Sequence, residues 1–167
     1  AIYIKGRDNA RTPVQWDASA NAGFSPEGVT TWINVNPNYP EINAEAVLAD
    51  PDSVFYHYQH LVNLRRGELK DLMVYASFAP VDSVQVPHDE DEAVYAYTRT
   101  GGADGSPANE SLLVISNFTA EEQERDFAVL NEARESGARV ELVSSNYKDD
   151  AGSTLRPYEA KVYHIVR

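Results

Sequence analysis

Beyond Gly67 the sequence becomes a series of short stretches rich in Val, Tyr, Leu and Ile, at 72–78, 93–100, 111–117, 139–144 and 160–166. Some alternate strictly, as in Val94-Tyr95-Ala96-Tyr97-Thr98 and Lys161-Val162-Tyr163-His164-Ile165-Val166. A side-chain period of two belongs to a strand with one face toward a core. Turn-forming stretches at 87–91, 101–109 and 146–153 separate them. Short strands at this spacing constrain the region to an antiparallel β-sandwich. Residues 84–86 and 124–127 read as further strands, 101–107 as a flexible hairpin tip and 121–125 as a charged loop.

The N-terminal part has a different character. Residues 1 to about 40 hold Pro13, Pro26, Pro37 and Pro40 with Gly6, Gly23 and Gly28, and they show no sustained period. A long irregular segment in a compact protein is usually functional, and Phe24, Trp32, Ile33, Val35 and Tyr39 show that this one packs on something. A short helix is predicted from Asn43, as N-cap, to Leu48. A longer one is predicted over Pro51–Arg66, with Asp50 as N-cap, Pro at the first position and Gly67 as the left-handed residue after its end. Val54, Phe55, Tyr58, Leu61 and Val62 recur at helical spacing, so this helix has a wide apolar face that needs a partner. If none is present, self-association or refolding of the opening segment over the face is expected.

Composition excludes several function classes. The formal charge of −12 provides no basic footprint for nucleic acid, disfavours an anionic membrane surface and suits a neutral ligand such as a sugar. With no cysteine, disulfides, thiolate metal sites and cysteine nucleophiles are absent; a reducing cytoplasm fits, as does an exported protein that needs no bridges. No apolar run is long enough to span a membrane, and Ala-Ile-Tyr-Ile-Lys-Gly-Arg at the start does not read as a signal peptide. The first residue is not Met, and a longer parent polypeptide is expected. His57 and His60 share a helix face, but the sequence places no third ligand, so no metal and no cofactor are expected. The acidic run 88–92 lacks the glycine and spacing of a calcium loop and reads as a solvated turn. Asn109-Glu110-Ser111 and Asn117-Phe118-Thr119 fit the short glycosylation pattern.

The densest chemistry lies in Arg7-Asp8-Asn9-Ala10-Arg11-Thr12-Pro13-Val14-Gln15-Trp16-Asp17, followed by Ala22-Gly23-Phe24. Two guanidiniums near Asp8 and Asp17 form either a structural ion network or rigid donor forks for a polyhydroxy ligand. Asn9 and Gln15 add donors and acceptors. Trp16, Phe24 and Trp32 either pack in a core or stack on a pyranose ring.

This stretch resembles a signature loop of the oligo-1,6-glucosidase and α-glucosidase branch of glycoside hydrolase family 13. The family pattern is Arg-Asp-Asn-x-Arg-Thr-Pro-Met-Gln-Trp-Asp with a following Ala-Gly-Phe, and the sequence departs from it only at Val14. Similarity continues through residues 32–39, 41–52 and into the helix to about residue 67. The later part resembles the family's C-terminal β-domain loosely.

The resemblance implies that residues 1–67 are the last loop and helix of a (β/α)8 barrel, and residues 68–167 the β-sandwich packed on it. It places Arg7 in the subsite for the terminal glucose, paired with an aspartate from an earlier strand, and Arg11 beside it as a brace or second contact. Asp8 and Asn9 would fix the loop, and Trp16 would pack. The implied reaction is retaining hydrolysis of terminal α-linked glucose in a short oligosaccharide or disaccharide, by two carboxylates about 5–5.5 Å apart. Those carboxylates precede this motif in the family, so the chain itself is expected to be inactive, with the missing barrel as its partner. The alternatives are a relative that isomerises sucrose or transfers glucose, and a non-catalytic saccharide-binding sandwich using Tyr75, Tyr95, Tyr147 or Tyr158.

Overall fold

A computed structural model describes residues 7–102 and 107–167. Part of the predicted hairpin tip, 103–106, lies outside the described residues, as do residues 1–6 and the Asn9 side chain. The chain divides into two compact units, residues 1–60 and 61–167. Its architecture is mixed, with helices leading into two antiparallel sheets.

The first unit is mostly turns. Single 3₁₀ turns cover Asp8–Ala10 and Ala20–Gly23, and helix α1 covers Ala44–Ala49. Asn43 caps α1 as predicted: its side chain accepts from the Ala46 N–H at 2.8 Å while its own Nδ2 donates to the Tyr39 carbonyl at 2.8 Å. Helix α2, Val54–Arg66, begins one turn later than the sequence suggests. The Asp50 carboxylate is used in a tight turn to the Asp52 N–H at 2.9 Å. The first helical bond therefore runs from the His57 N–H to the Ser53 carbonyl, at 3.1 Å. Gly67 is not left-handed. It continues the helical bonding to the Asn63 carbonyl, which a Cβ would meet at 2.8 Å. Among the described residues of the first unit, Ala22 is the only buried apolar side chain.

The second unit has a substantial core. Its five-stranded sheet runs β1-β2-β3-β7-β5, comprising Ser77–Pro80, Val94–Thr100, Glu110–Asn117, Ala160–Val166 and Arg139–Ser145, with every neighbouring pair antiparallel. Gln123–Glu124 (β4) and Thr154–Leu155 (β6) form a second, two-stranded sheet. On one face of the large sheet Val94, Ala96, Leu113, Ile115, Tyr163 and Ile165 are buried against Phe127, Leu130, Ala133 and Leu155. Full burial of each large aliphatic side chain stabilises by about 1.5–3 kcal/mol, which makes this cluster the main source of the unit's stability.

Two elements differ from the sequence expectation. The stretch 72–78 splits into helix α3, Lys70–Val74, and then strand β1. Leu69, Leu72 and Ala76 are spaced three and four apart, and all three are buried with Leu112 on the second face of the sheet. That spacing is helical, and α3 exploits it. Helix α4, Ala128–Glu135, follows a stretch read as a charged loop and a strand. Its end is a Schellman motif: Gly137, at φ 75°, donates to the Arg134 carbonyl at 3.2 Å, and Ala138 donates to Ala133 at 2.9 Å. Residues 84–86 form no strand.

Candidate functional site: the opening loop

The loop holds its shape through backbone and amide bonds. The Trp16 and Asp17 N–H groups donate to the Ala22 carbonyl at 2.8 and 3.3 Å. The Gln15 and Trp16 carbonyls accept from the Ala44 and Glu45 N–H groups, each at 2.9 Å, which ties the loop to the start of α1. The Gln15 side-chain amide donates to Asn38 Oδ1 at 3.1 Å and to the Ile42 carbonyl. The Asn21 amide spans the next turn, donating to the Pro26 and Val29 carbonyls at 3.0 and 2.9 Å.

The Ala22-Gly23-Phe24 element has a specific physical basis. Asn21, Ala22 and Gly23 have φ of 54°, 57° and 65°, three consecutive left-handed residues. An alanine there is strained by roughly 1–2 kcal/mol, and it is held because its side chain is fully buried. At Gly23 a Cβ would meet the Asp17 carboxylate at 2.6 Å. Asp17 in turn accepts from the Ser19 N–H at 2.8 Å and the Ser19 hydroxyl at 2.5 Å. These bonds hold its carboxyl below the usual range. A carboxylate occupied in this way is a turn-former, not a reactive acid.

Arg7 and Arg11 are both exposed. Their backbones close the first 3₁₀ turn, in which Ala10 N–H donates to Arg7 O at 3.1 Å and Arg11 N–H to Asp8 O at 3.0 Å. Arg11 lines a groove of about 450 Å³ with Thr12, Val14, Phe24, Ser25 and Trp32. Asp8 lines a second groove of about 380 Å³ with Thr12, Trp32 and Asn34. Arg7 borders neither groove. The Trp16 side chain is 54% exposed, and Trp32 is 98% exposed.

Other sequence candidates have structural roles. Asp91, read as part of a solvated turn, instead has its side chain only 4% exposed. It receives Arg125 Nε at 2.7 Å and Nη2 at 3.1 Å, with the Ala93 and Val94 N–H groups at 3.1 and 3.0 Å. Burial opposes its charge, but these donors outweigh that and hold its carboxyl low. Asn117 donates to the Glu121, Leu155 and Arg156 carbonyls at 2.8, 3.4 and 3.0 Å, so it is a buried structural amide. Among the described residues no group of three His, Asp or Glu side chains converges as a metal site would require. No helix of the described chain is long and apolar enough to cross a membrane.

The four tyrosines considered for a saccharide platform lie on separate segments. Tyr75 follows α3, Tyr95 lies on β2, and Tyr147 and Tyr158 flank the excursion before β7. The Tyr147 ring stacks on Arg156 at 4.0 Å.

Sequence reasoning did not anticipate the network around Lys161. This side chain is fully buried, and Nζ donates to Asp150 Oδ1 at 3.1 Å and to the Gly152 and Thr154 carbonyls at 2.9 and 3.1 Å. Tyr163 donates its hydroxyl to Asp150 at 2.8 Å, and Arg156 bonds Glu159 and Asp149 at 2.7 and 2.8 Å. The network fastens the excursion between β5 and β7. Its only sequence signal is a lysine at an inward position of an alternating strand.

Residues 1–75 match the family described as alpha amylase, catalytic domain. The chain belongs to glycoside hydrolase family 13, on the side of the oligo-1,6-glucosidases. It is 44% identical over 169 residues to the oligo-1,6-glucosidase of Parageobacillus thermoglucosidasius, a match covering 98% of this chain and 26% of that protein. It is similar to the solved trehalose-6-phosphate hydrolase of Bacillus licheniformis, with a TM-score of 0.79 and 39% identity over 99% of this chain and 27% of that one. An isomaltulose synthase from Klebsiella gives 0.73 and 32%, over 95% and 26%. The chain therefore spans about a quarter of the length of the relatives it matches.

Proposed function

We propose that the chain is the C-terminal part of an α-glucosidase of the oligo-1,6-glucosidase type, which hydrolyses terminal α-linked glucose from short oligosaccharides with retention. In this reading residues 1–67 are the last loop and helix of the catalytic barrel, and residues 68–167 are a stabilising β-domain. Arg7 reaches the terminal glucose and pairs with a carboxylate from an earlier part of the parent, while Arg11 lines the adjoining wall. The nucleophile and general acid come from outside the chain, so the chain alone is inactive. Zero cysteines suit a cytoplasmic enzyme.

The observation that carries the reading is the state of the first unit. It presents Val14, Trp16, Phe24, Trp32, Val54 and Tyr58 at 51–98% exposure and, among its described residues, buries only Ala22 of the apolar side chains. A folded loop with its apolar residues outward is one wall of a site whose other wall is another piece of protein. A trehalose-6-phosphate hydrolase and an isomaltulose synthase both match this region. In this reading the choice of linkage, and of hydrolysis over isomerisation, lies elsewhere in the parent.

The test is glucose release from isomaltose and an aryl α-glucoside. The parent should turn over both, Arg7→Lys in the parent should lose most of kcat/KM, and purified 1–167 should match a heat-killed control. Turnover by 1–167, or an unaffected Arg7→Lys parent, refutes the assignment.

A further inference from the structure

The chain has 26 acidic residues against 14 basic ones, and only four of the basic ones are lysines. The excess falls on both units. In the second unit the fold sharpens it, because cations are used on the inside. Lys161 is fully buried against Asp150, and Arg125 and Arg156 are largely buried against Asp91 and against Asp149 with Glu159. Most of the remaining carboxylates stand in solvent.

Two acidic segments distant in sequence are brought side by side. The Val84 N–H donates to the Asp126 carbonyl at 2.7 Å. Gln85 Nε2 donates to Asp126 Oδ2 at 3.0 Å, and its Oε1 accepts from the Asp126 N–H at 2.8 Å. Arg125 Nε donates to Asp91 at 2.7 Å. The turn and the loop joined in this way expose Asp89, Glu90 and Glu92 from one and Glu121, Glu122 and Glu124 from the other. The cation at the junction, Arg125, is already committed to Asp91. Among the described residues no three acidic side chains converge to hold an ion. Repulsion across this face is therefore relieved by mobile counter-ions and not by a bound one.

We propose that the fold is built for concentrated salt and holds its full stability only where mobile monovalent counter-ions screen the joined 82–92 and 121–126 segments. A surplus of like charge opposes the compact state by self-repulsion. The screening length is about 30 Å at 0.01 M, long enough for every carboxylate of this face to act on the others. At about 0.15 M it is still about 8 Å, so neighbours such as Asp89 and Glu90, or Glu121 and Glu122, with Cα atoms about 3.8 Å apart, continue to repel. Only near 1 M does it fall to about 3 Å, below that separation. Stability should therefore keep rising into the molar range. This property is independent of the activity of the parent.

The test is urea unfolding of 1–167 at pH 7 in KCl and in choline chloride, each at about 0.01, 0.15 and 1 M, since urea itself is uncharged. The same series is run on a variant carrying Asp89→Asn, Glu90→Gln, Glu121→Gln and Glu122→Gln. The midpoint should rise by roughly 0.5–1.5 M urea across the series, equally in both salts and in part above 0.15 M, as several like-charge pairs would give at the usual urea slope. At the lowest salt the variant should unfold at a higher urea concentration than the unmodified chain, and at the highest the two should coincide. A flat midpoint, or a rise complete by 0.15 M, overturns the proposal. A rise in KCl alone overturns it in favour of a bound cation. A variant that is less stable at every salt concentration, or that keeps the whole salt dependence, overturns the assignment of the repulsion to this face.

Discussion

Replacing Lys161 with Met should destabilise the β-domain far more than a surface charge change would. The methionine stem keeps most of the buried volume and removes the ammonium. Three bonds then disappear, to Asp150 at 3.1 Å, Gly152 O at 2.9 Å and Thr154 O at 3.1 Å. Glu159, fully buried and 3.7 Å from Nζ, is left with Arg156 as its counter-charge at 2.7 Å. Breaking a buried ion pair from one side costs about 3–5 kcal/mol, and each carbonyl left unpaired adds to that end of the range. At roughly 4–8 °C per kcal/mol for a domain of this size, the melting midpoint should fall by about 12–40 °C.

The assay is urea and thermal unfolding of 1–167, followed by far-UV circular dichroism, with and without the substitution. A pH series adds a signed check. Burial opposes the charges of Asp150 and Glu159, but their hydrogen bonds and the nearby cations outweigh it and hold both carboxyls below their ordinary values. A depressed carboxyl contributes stability that is fully present above the unfolded value, about pH 4, and is lost as pH falls through the folded one. Lys161→Met should flatten this acid-side loss, because Lys161 is one of the partners holding both carboxyls low. A loss under about 1 kcal/mol with an unchanged pH slope would refute the reasoning, since a buried charge cannot be removed at so little cost if it carries the excursion.

Two further outcomes follow from the geometry. Gly23→Ala places a Cβ 2.6 Å from Asp17 at a φ of 65°, so it should loosen the loop by roughly 1–3 kcal/mol. Hydrogen exchange at the Trp16 amide, which donates to Ala22, should report this, and unchanged protection would count against it. Asn117→Ala removes the amide donor to three carbonyls and the acceptor for the Thr119 N–H. It should cost about 2–4 kcal/mol in urea unfolding, and a change within 0.5 kcal/mol, as about the size of a surface substitution, would show that water replaces it.

Much of the fold is legible in the residues. The alternating stretches at 93–100, 111–117, 139–144 and 160–166 become β2, β3, β5 and β7 with ends shifted by a residue or less, because a period of two has only one burial-compatible backbone. Asn43 announces α1 because a short side-chain acceptor before an apolar run has a helix N–H to satisfy. Gly137 and the Phe127, Leu130, Ala133 spacing carried the signal for α4, but the surrounding charges hid it. Leu69, Leu72 and Ala76 were ambiguous because a short apolar run fits either period, and only the surface of β3 beneath them selects the helix.

The local sequence by itself determined the Asn43 cap of α1 and the alternation that makes the sheet, since each depends on neighbours within a few residues. Tertiary structure alone decided which charges are buried. Asp91 meets Arg125 from 34 residues away, and Lys161 meets Asp150 across the excursion before β7, so their chemistry is set by chain closure. The same is true of Trp16 and Trp32. An indole signals burial, but whether it is buried depends on what packs against it, and in this chain both stand in solvent.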